Sequence, residues 1–275
     1  AVGGGRRYPV QVKIDTGMHR AGADPAEAGE LADLIDSYPQ LVLDGVFTHL
    51  AMADEPDAES NALQLTRFDD VLDDMRRRGH HPRVVHAANS AAALALAASR
   101  RDLVRLGIAM YGIEPGQGVR GLCAELRPAL SLRARVSVVR EVVAGEGVSY
   151  GLRTVFTKPT VLATIPIGYA DGVPRRLSET GGQVLIHGQR LAIVGVVTMD
   201  QLVVDCGPLG AGEPVVVGDE VVLLGSQVGP AGSDEIRAEE WAQRLGTIGY
   251  EIVCAISSRI ERLHHSGSSG RMSVT

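Results

Sequence analysis

The segment "PVQVKIDTGMHRAGADPAEAGELADLIDSYPQLVLDGVFTHL" (residues 9–50) decides the fold. It opens with a Val-rich run that predicts a strand and closes with a second such run, "LVLDGVFTHL". Between them, the spacing of Ala, Leu and Ile predicts a helix with Asp24 as its cap and Pro25 at its first position. Strand, helix and strand joined by short connections predict a right-handed βα unit in a parallel sheet.

Further βα units follow as far as residue 113. A long amphipathic helix is predicted for residues 60–78, then a strand in "PRVVHAAN", a helix in "SAAALALAAS" and a fourth strand in "DLVRLGIAMYGI". A closed (β/α)8 barrel needs eight strands, and about four βα units are visible. We therefore interpret residues 1–125 as the C-terminal half of a barrel, and we expect its upstream half to be missing from this chain.

The remainder of the chain alternates short Val- and Leu-rich runs with glycines, which predicts an antiparallel β domain over residues 126–264. Within it, "RAEEWAQRLG" predicts a short helix and "YEIVCAIS" a last strand. Residues 265–275 nearly lack apolar side chains, so we expect a disordered tail. The predicted fold class is thus α/β, as part of a barrel, followed by an all-β domain.

Composition excludes several classes of function. The 275 residues carry a net charge of −6 without a basic stripe, which argues against a nucleic-acid partner. No run approaches the roughly 18 apolar residues that span a bilayer, so no membrane association is expected. The three cysteines lie far apart without metal-ligand spacing. We therefore expect reduced thiols in a cytoplasmic protein and no metal site.

Polar side chains interrupt the predicted strands near their carboxyl ends, where chemistry gathers in parallel βα folds. Of 27 Lys and Arg residues only Lys13 and Lys158 are lysines, so a lysine at the end of a buried strand stands out. Each of these residues also has a plain structural explanation. Lys13 could form a surface salt bridge, a histidine could be a satisfied core residue, and Arg105 could pair with Asp102. The residues at these ends are Lys13, Asp15, His49, His86, Asn89, Ser90 and Arg105.

Eight motifs in order resemble those of bacterial alanine racemases: "VKIDTGMHRAG", "FTHLAMADE", "HAANSAA", "RLGIAMYG", "GVSYG", "PIGYADG", "VTMDQ" and "IGYEIVC". The resemblance implies an enzyme that uses pyridoxal 5'-phosphate (PLP) to convert L-alanine to D-alanine for peptidoglycan. It also implies a head-to-tail homodimer whose active site is shared across the interface. In this family the lysine that carries PLP lies on the first barrel strand, in a motif like "VKANAYGHG". No such motif occurs here, in keeping with a missing upstream half.

The resemblance assigns the acid–base chemistry to a few residues. Racemisation needs a base on each face of the substrate, and Tyr150 resembles the second base. A free tyrosine, with a pKa of about 10, is a poor base at neutral pH, so we expect the cations His49 and Arg20 to stabilise its phenolate. Taken alone, Tyr150 could instead cap a hairpin turn. Arg105 resembles the arginine that faces the pyridine nitrogen, where it donates a hydrogen bond without giving up its proton.

Lys13 resembles a lysine that carbon dioxide carbamylates in many family members. Such a carbamate would pair with Arg20 and orient it toward the substrate carboxylate. Asp15 is close enough in sequence to be an alternative partner for Lys13, although Asp15 and Thr16 are interpreted as turn residues. Tyr169 and Met199 resemble residues of the substrate pocket that limit the side chain to a methyl group.

The resemblance also assigns the cofactor contacts. Ser90 could bind phosphate or be an ordinary helix cap, and Gly107 would allow close backbone approach. The predicted cofactor-binding residues are His49, His86, Asn89, Ser90, Arg105, Gly107, Ile108 and Tyr250. Thr198 and Val196 depart from the family pattern, which leaves substrate preference open. The alternatives are a serine or broad-specificity racemase and a lysine-less paralogue that binds PLP or an amino acid without catalysis.

Overall fold

The computed structural model describes residues 7–208, 210 and 213–265. The chain divides into two compact units, Ala1–Ala129 and Leu130–Thr275. The boundary predicted from sequence lies after residue 125. Of the tail that was expected to be disordered, residues 266–275 lie outside the described residues.

The first unit is built on a parallel three-stranded sheet in the order β1-β2-β3. Each of the first two strands leads into a helix that returns the chain to the next strand, so the predicted βα units are confirmed. The elements are β1 (Tyr8–Lys13), α1 (Ala28–Ser37), β2 (Leu41–Phe47), α2 (Glu59–Arg77), β3 (Val84–His86) and α3 (Ser90–Ala95).

The core of the first unit fills the space between the sheet and helices α1 and α2. Ile14 and Val46 come from the strand side, and Phe68 and Met75 from one face of α2; all four are fully buried. The Asp24 side chain accepts a hydrogen bond from Ala26 N–H, which confirms the predicted cap ahead of α1. Packing of apolar faces therefore fixes the strands whose carboxyl ends carry the polar residues.

The predicted fourth strand is wrong, so the described residues form three βα units rather than about four. The chain after α3 runs beside β3, where Asp102 N–H donates to Val85 O at 3.0 Å and Arg105 N–H to Ala88 O at 2.9 Å. The Asp102 carboxylate, however, accepts from Val85 N–H at 2.8 Å. A carboxylate thus occupies a donor that a strand carbonyl would use, and the chain turns into a 3-10 helix, Ile108–Tyr111.

The second unit is an antiparallel sheet in the order β13-β12-β9-β10-β11-β8-β5, with β4 paired to β12 and a separate β6–β7 hairpin. All pairings are antiparallel, which confirms the predicted β domain. The strands are β4 (Leu132–Arg135), β5 (Val138–Val142), β6 (Gly147–Val148), β7 (Thr154–Val155), β8 (Thr160–Ile165), β9 (Gln183–Ile186), β10 (Gln189–Val194), β11 (Leu202–Asp205), β12 (Glu220–Gly229) and β13 (Gly232–Ile236).

Among the described residues, two helices follow the sheet, α4 (Ala238–Leu245) and α5 (Gly249–Ala255). The prediction of α4 is confirmed, whereas the strand predicted for residues 250–257 is wrong. Ile252 and Ile256, four residues apart, are both buried, which is the helical period, and the β-branched side chains of this short run had favoured a strand. Within the described ranges, no helix is long and apolar enough to cross a membrane.

Candidate active site

The loop after β1 is organised by one carboxylate. Asp15 Oδ1 accepts hydrogen bonds from the N–H groups of Gly17, Met18 and His19 at 3.1, 3.0 and 2.9 Å. These bonds, led by that from His19, hold the pKa of Asp15 below its ordinary value. Asp15 is therefore a turn residue, as predicted, and its carboxylate is engaged by the loop backbone rather than by Lys13.

Three cationic side chains of the first unit act on His49, and the Nη2 of one of them, Arg105, lies 3.3 Å from His49 Nδ1. Burial lowers the pKa of His49, and the charges of Arg105, Arg20 and Lys13 lower it further, in that order. The lowered pKa favours a neutral imidazole at His49, whereas a cation was expected there. Within the described part of the chain, Lys13 and Arg20 have no carboxylate within ion-pair distance, so the predicted surface salt bridge of Lys13 is not formed.

Arg105 reaches into this cluster and is bound by neutral acceptors. Its Nη2 donates to Thr48 O at 2.8 Å and to Ala87 O at 3.0 Å, and its guanidinium lies 5.4 Å from the centre of the Phe47 ring. Burial lowers its pKa. The alternative pairing with Asp102 is wrong, because that carboxylate accepts from Val85 N–H. The result is a half-buried guanidinium held by dipoles and a ring rather than by a counter-charge.

His86 has both ring nitrogens engaged. Nδ1 accepts from Arg105 Nη1 at 2.5 Å, so Nε2 carries the proton and donates to Gln11 Oε1 at 2.8 Å. The ring stacks on Phe47 with centroids 4.7 Å apart. Burial, followed by the charge of Arg105, lowers the pKa of His86. His86 is thus a neutral, fixed imidazole that orients Arg105, and Gln11 is a partner that the sequence did not reveal.

The residues predicted to bind phosphate meet at the start of α3. Ser90 Oγ accepts from Gly107 N–H at 2.8 Å and lies 3.4 Å from Ala109 N. Asn89, rather than Ser90, caps α3, because its side chain accepts from Ala92 N–H at 3.0 Å. Asn89 is therefore held by the helix end rather than presented to a cofactor ring. Ile108 is buried, and its neighbour Gly107 meets no close backbone, since an added Cβ would lie 3.7 Å from Ser90 Oγ.

In the second unit, Tyr150 projects from the β6–β7 connection with 75% of its surface exposed. This exposure does not fit a tyrosine that caps a hairpin. The neighbouring backbone is strained, since Ser149 and Leu152 have positive φ angles of 62° and 47°. Ser149 Oγ donates to Val196 O at 3.0 Å, which anchors the loop while the phenol stays outside. The anchored loop therefore presents an exposed tyrosine side chain.

Tyr169 and Met199 lie on two loops that the backbone joins. Tyr169 N–H donates to Thr198 O at 2.9 Å and Ala170 N–H to Met199 O at 3.0 Å. A Cβ added to Gly168 would lie 2.2 Å from Thr198 O, so only glycine permits this approach. The two predicted pocket residues therefore lie on adjacent loops of one unit. Tyr250 lies in the first turn of α5 with its side chain partly exposed.

Two further residues support these loops and were not found from sequence. Arg259 Nη2 contacts Asp200 Oδ1 at 2.8 Å, and Arg259 Nε lies 3.5 Å from Asp171 Oδ1. Asp171 is buried, and its carboxylate accepts from Gly168 N–H at 2.9 Å. In the described ranges, no three His, Cys, Asp or Glu side chains gather so as to hold a metal ion.

Comparison with known proteins agrees with both units. Residues 1–115 match the alanine racemase N-terminal domain family and residues 129–264 the alanine racemase C-terminal domain family. Alanine racemases of Symbiobacterium thermophilum and Carboxydothermus hydrogenoformans are each 45% identical to this chain, covering 94% and 92% of it and 67% and 66% of their own lengths.

Solved structures give the same answer. Alanine racemase from D-cycloserine-producing Streptomyces lavendulae is 40% identical with a TM-score of 0.85, covering 96% of this chain and 68% of that one. The E. faecalis enzyme is 37% identical with a TM-score of 0.82, covering 92% and 65%. The chain thus spans about two thirds of the length of its relatives. The predicted fold class, part of a barrel followed by an antiparallel β domain, is confirmed, and the chain belongs to the alanine racemase family.

Proposed function

We propose that the protein is a PLP-dependent alanine racemase. The observation that carries the proposal is the cluster of Lys13, Arg20 and Arg105 around a neutral His49, with no carboxylate paired to any of the three cations among the described residues. Such a cluster fits anionic groups, as a phosphorylated cofactor and an amino-acid carboxylate would supply. When bound, PLP delocalises the negative charge left on the substrate α-carbon after its proton is removed.

Arg105 would face the ring nitrogen of that cofactor. Arginine starts so far above neutrality that the lowered pKa still leaves it charged, so it donates a hydrogen bond and keeps its proton. His86 Nδ1 and the carbonyl groups of Thr48 and Ala87 fix the direction of that donor. A ring nitrogen that stays unprotonated withdraws electron density less strongly. This favours return of a proton to the substrate α-carbon over side reactions.

We propose Tyr150 as the base for one face of the substrate, acting in the site of a partner subunit. Its exposure, on a loop anchored by Ser149, suits a hydroxyl that completes a site elsewhere. Because His49 is neutral, Arg20 is the cation that would stabilise the phenolate. The lysine for the other face would come from the part of the relatives' length that this chain does not cover.

Arg20 would bind the substrate carboxylate. Carbamylation of Lys13 would convert a cation into an anion beside Arg20 and orient that guanidinium. The engagement of Asp15 with its own loop supports this proposal, since it removes the alternative partner of Lys13. Ser90, Gly107, Ile108 and Tyr250 would hold the cofactor phosphate, with Asn89 acting through the cap of α3.

Tyr169 and Met199 would limit the substrate side chain to the methyl group of alanine. The reaction would take place in the cytoplasm, and its product, D-alanine, would be used for peptidoglycan. Contacts of one or two methylene groups discriminate by only about 1–3 kcal/mol, so some turnover of serine is expected.

The test is formation of D-alanine from L-alanine by the natural full-length protein, with and without added PLP, followed by chiral chromatography. We expect PLP-dependent racemisation in both directions, with serine turned over more slowly. A protein that binds PLP, seen by its absorbance, yet forms no D-amino acid would be the non-catalytic paralogue. Serine turnover faster than that of alanine would favour the broad-specificity alternative.

A further inference from the structure

A buried glutamine lies beneath the cationic cluster of the first unit. Gln64 is on the core-facing side of α2, one helical turn before Phe68, and is 2% exposed. Its side chain contacts both site-bearing loops: Nε2 donates to Thr16 Oγ1 at 3.1 Å and to His49 O at 3.2 Å, and Oε1 accepts from Ala51 N–H at 2.9 Å. Gln64 thus occupies a core position of α2 with an amide whose oxygen and nitrogen are both hydrogen-bonded to the site-bearing loops, so its role is more than packing.

The hydrogen bonds around Gln64 form a chain with a defined direction. Ala51 N–H can only donate, which fixes Gln64 Oε1 as acceptor and leaves Nε2 to donate to Thr16. At the other end, Thr48 Oγ1 donates to Ile14 O at 3.0 Å. The 2.7 Å contact between the two threonine hydroxyls is therefore donated by Thr16. Each donor along this buried chain is used once, so no member can reverse without leaving a group unpaired.

This chain fixes the backbone on both sides of His49. Gln64 binds the carbonyl of His49 and the N–H of Ala51, while the carbonyl of Thr48 accepts from Arg105. Thr16 lies in the loop between Lys13 and Arg20, so the same amide also holds that loop. We propose that Gln64 is a positioning residue that sets His49 relative to the Lys13–Arg20 loop. The functional part of this inference rests on the proposed racemase activity, whereas its geometric part does not.

Helix α2 also carries a residue that serves as a matched control for Gln64. Asn61 is 3% exposed, and its Nδ2 donates to the carbonyl groups of Met52 and Glu55. Neither of these two residues is a candidate site residue. Gln64→Met and Asn61→Leu each replace a buried amide by an apolar side chain of similar size. Both should lower Tm, because each leaves backbone groups unpaired.

Two readouts separate positioning from stability in the full-length protein with PLP. We expect Gln64→Met to lower kcat/KM for alanine about tenfold or more, mainly through kcat, and Asn61→Leu to leave it within about threefold. The imidazole titration of His49, followed by NMR, should shift in Gln64→Met and stay in place in Asn61→Leu. Loss of kcat/KM in proportion to the fall in Tm for both variants, or an unmoved His49 titration, would overturn the proposal.

Gln64→Glu tests the direction of the chain and serves if Gln64→Met does not fold. A protonated carboxyl can still donate toward Thr16 or His49 O, but an ionised one cannot. The charged neighbour is Arg67, whose Nη1 donates to Thr16 O at 3.1 Å, and the titratable neighbour is His49. Activity of Gln64→Glu relative to wild type should fall as pH rises, while the ratio for Gln64→Met stays flat. A Glu variant that follows wild type at every pH contradicts the assigned donor.

The two proposals fail in different ways. If the wild-type protein forms no D-alanine, the racemase proposal fails, and the NMR titration of His49 in the three variants still decides the role of Gln64. If racemisation is found and His49 is unaffected by the loss of Gln64, the positioning role alone is wrong.

Discussion

The candidate site residues of the two units are held in different ways. In the first unit the side chains themselves are fixed: His86 has both ring nitrogens bonded, and Arg105 contacts four acceptors, two backbone carbonyls and one ring nitrogen each of His86 and His49. In the second unit only the backbone is fixed, and Tyr150, Met199 and Tyr169 are 75%, 53% and 44% exposed. The first arrangement suits the binding of charge, and the second suits the proposed role of these exposed residues in the site of a partner subunit.

The largest expected effect is the loss of the Tyr150 hydroxyl. Tyr150→Phe should lower racemase kcat by about 10²–10⁴, the range for removal of a general acid–base group. Because the ring is exposed, its unfolding free energy should change by no more than about 0.5 kcal/mol. Steady-state rates and thermal unfolding check both statements. A destabilised variant with nearly normal kcat would mean that the second unit holds its tyrosine for structure, which would remove the contrast between the units.

Arg105 should behave differently, because its removal affects both activity and stability. Arg105→Leu removes the cation and leaves the carbonyls of Thr48 and Ala87 and one nitrogen of His86 unpaired. We expect kcat to fall about 10²-fold and each unpaired buried acceptor to cost about 1–3 kcal/mol of unfolding free energy. Arg105→Lys keeps the charge and loses the fork, so it should recover stability only in part. Unchanged stability in Arg105→Leu would show that these bonds do not organise the site.

A smaller effect is expected from pH on the loop after β1. The lowered pKa of Asp15 means that its contribution to stability is present above its ordinary value of 3.8 and is lost as pH falls through the folded-state value. Wild type should exceed Asp15→Asn by about 1 kcal/mol at neutral pH, and the difference should shrink toward about pH 2. Urea unfolding of both proteins across this range measures it. A difference that is constant with pH would exclude ionised Asp15 as the organiser of the loop.

The smallest effect concerns Arg259, whose pair with Asp200 is exposed and screened by solvent and whose contact with the buried Asp171 is longer, at 3.5 Å. Arg259→Met should leave Tm nearly unchanged but speed hydrogen exchange at the N–H groups of Tyr169 and Ala170, which hold the two pocket loops together. Arg140→Met, at an exposed position on β5, serves as the control. Equal exchange in the two variants would mean that the backbone bonds alone join the loops.

Local patterns sufficed where a signal lies within one element. The Asp24 cap, the amphipathic α2 and the alternating strands of the second unit follow from short-range spacing, and they were predicted. The prediction of a fourth strand was wrong because the Asp102 carboxylate accepts a hydrogen bond from a backbone N–H of β3. The prediction of a strand at residues 250–257 was wrong because packing of Ile252 and Ile256 overrides the β-propensity of that run, which forms α5. Such interactions connect residues far apart in sequence or depend on tertiary packing.

The site shows the same limit. The residue types at the strand ends pointed to a functional cluster, and the family resemblance supplied roles. The sequence did not reveal that His49 is neutral, that Asn89 rather than Ser90 caps α3, or that Gln11 and Gln64 are partners. Glutamine is common on helix and strand surfaces, so its position alone carries little signal. One cue was available for Gln64: it falls on the same face of α2 as Phe68.

The central claim is that Tyr150 of one subunit completes the Arg105 cluster of another, and complementation between two variant subunits tests it most directly. Tyr150→Phe and Arg105→Leu subunits are mixed, unfolded and refolded together, and hybrid dimers are counted by native mass spectrometry while D-alanine formation is measured. If the exposed residues of one subunit complete the buried cluster of another, each hybrid has one intact site, and activity should recover to about a quarter of wild type. Hybrid dimers that are no more active than the two variants measured separately would contradict the account.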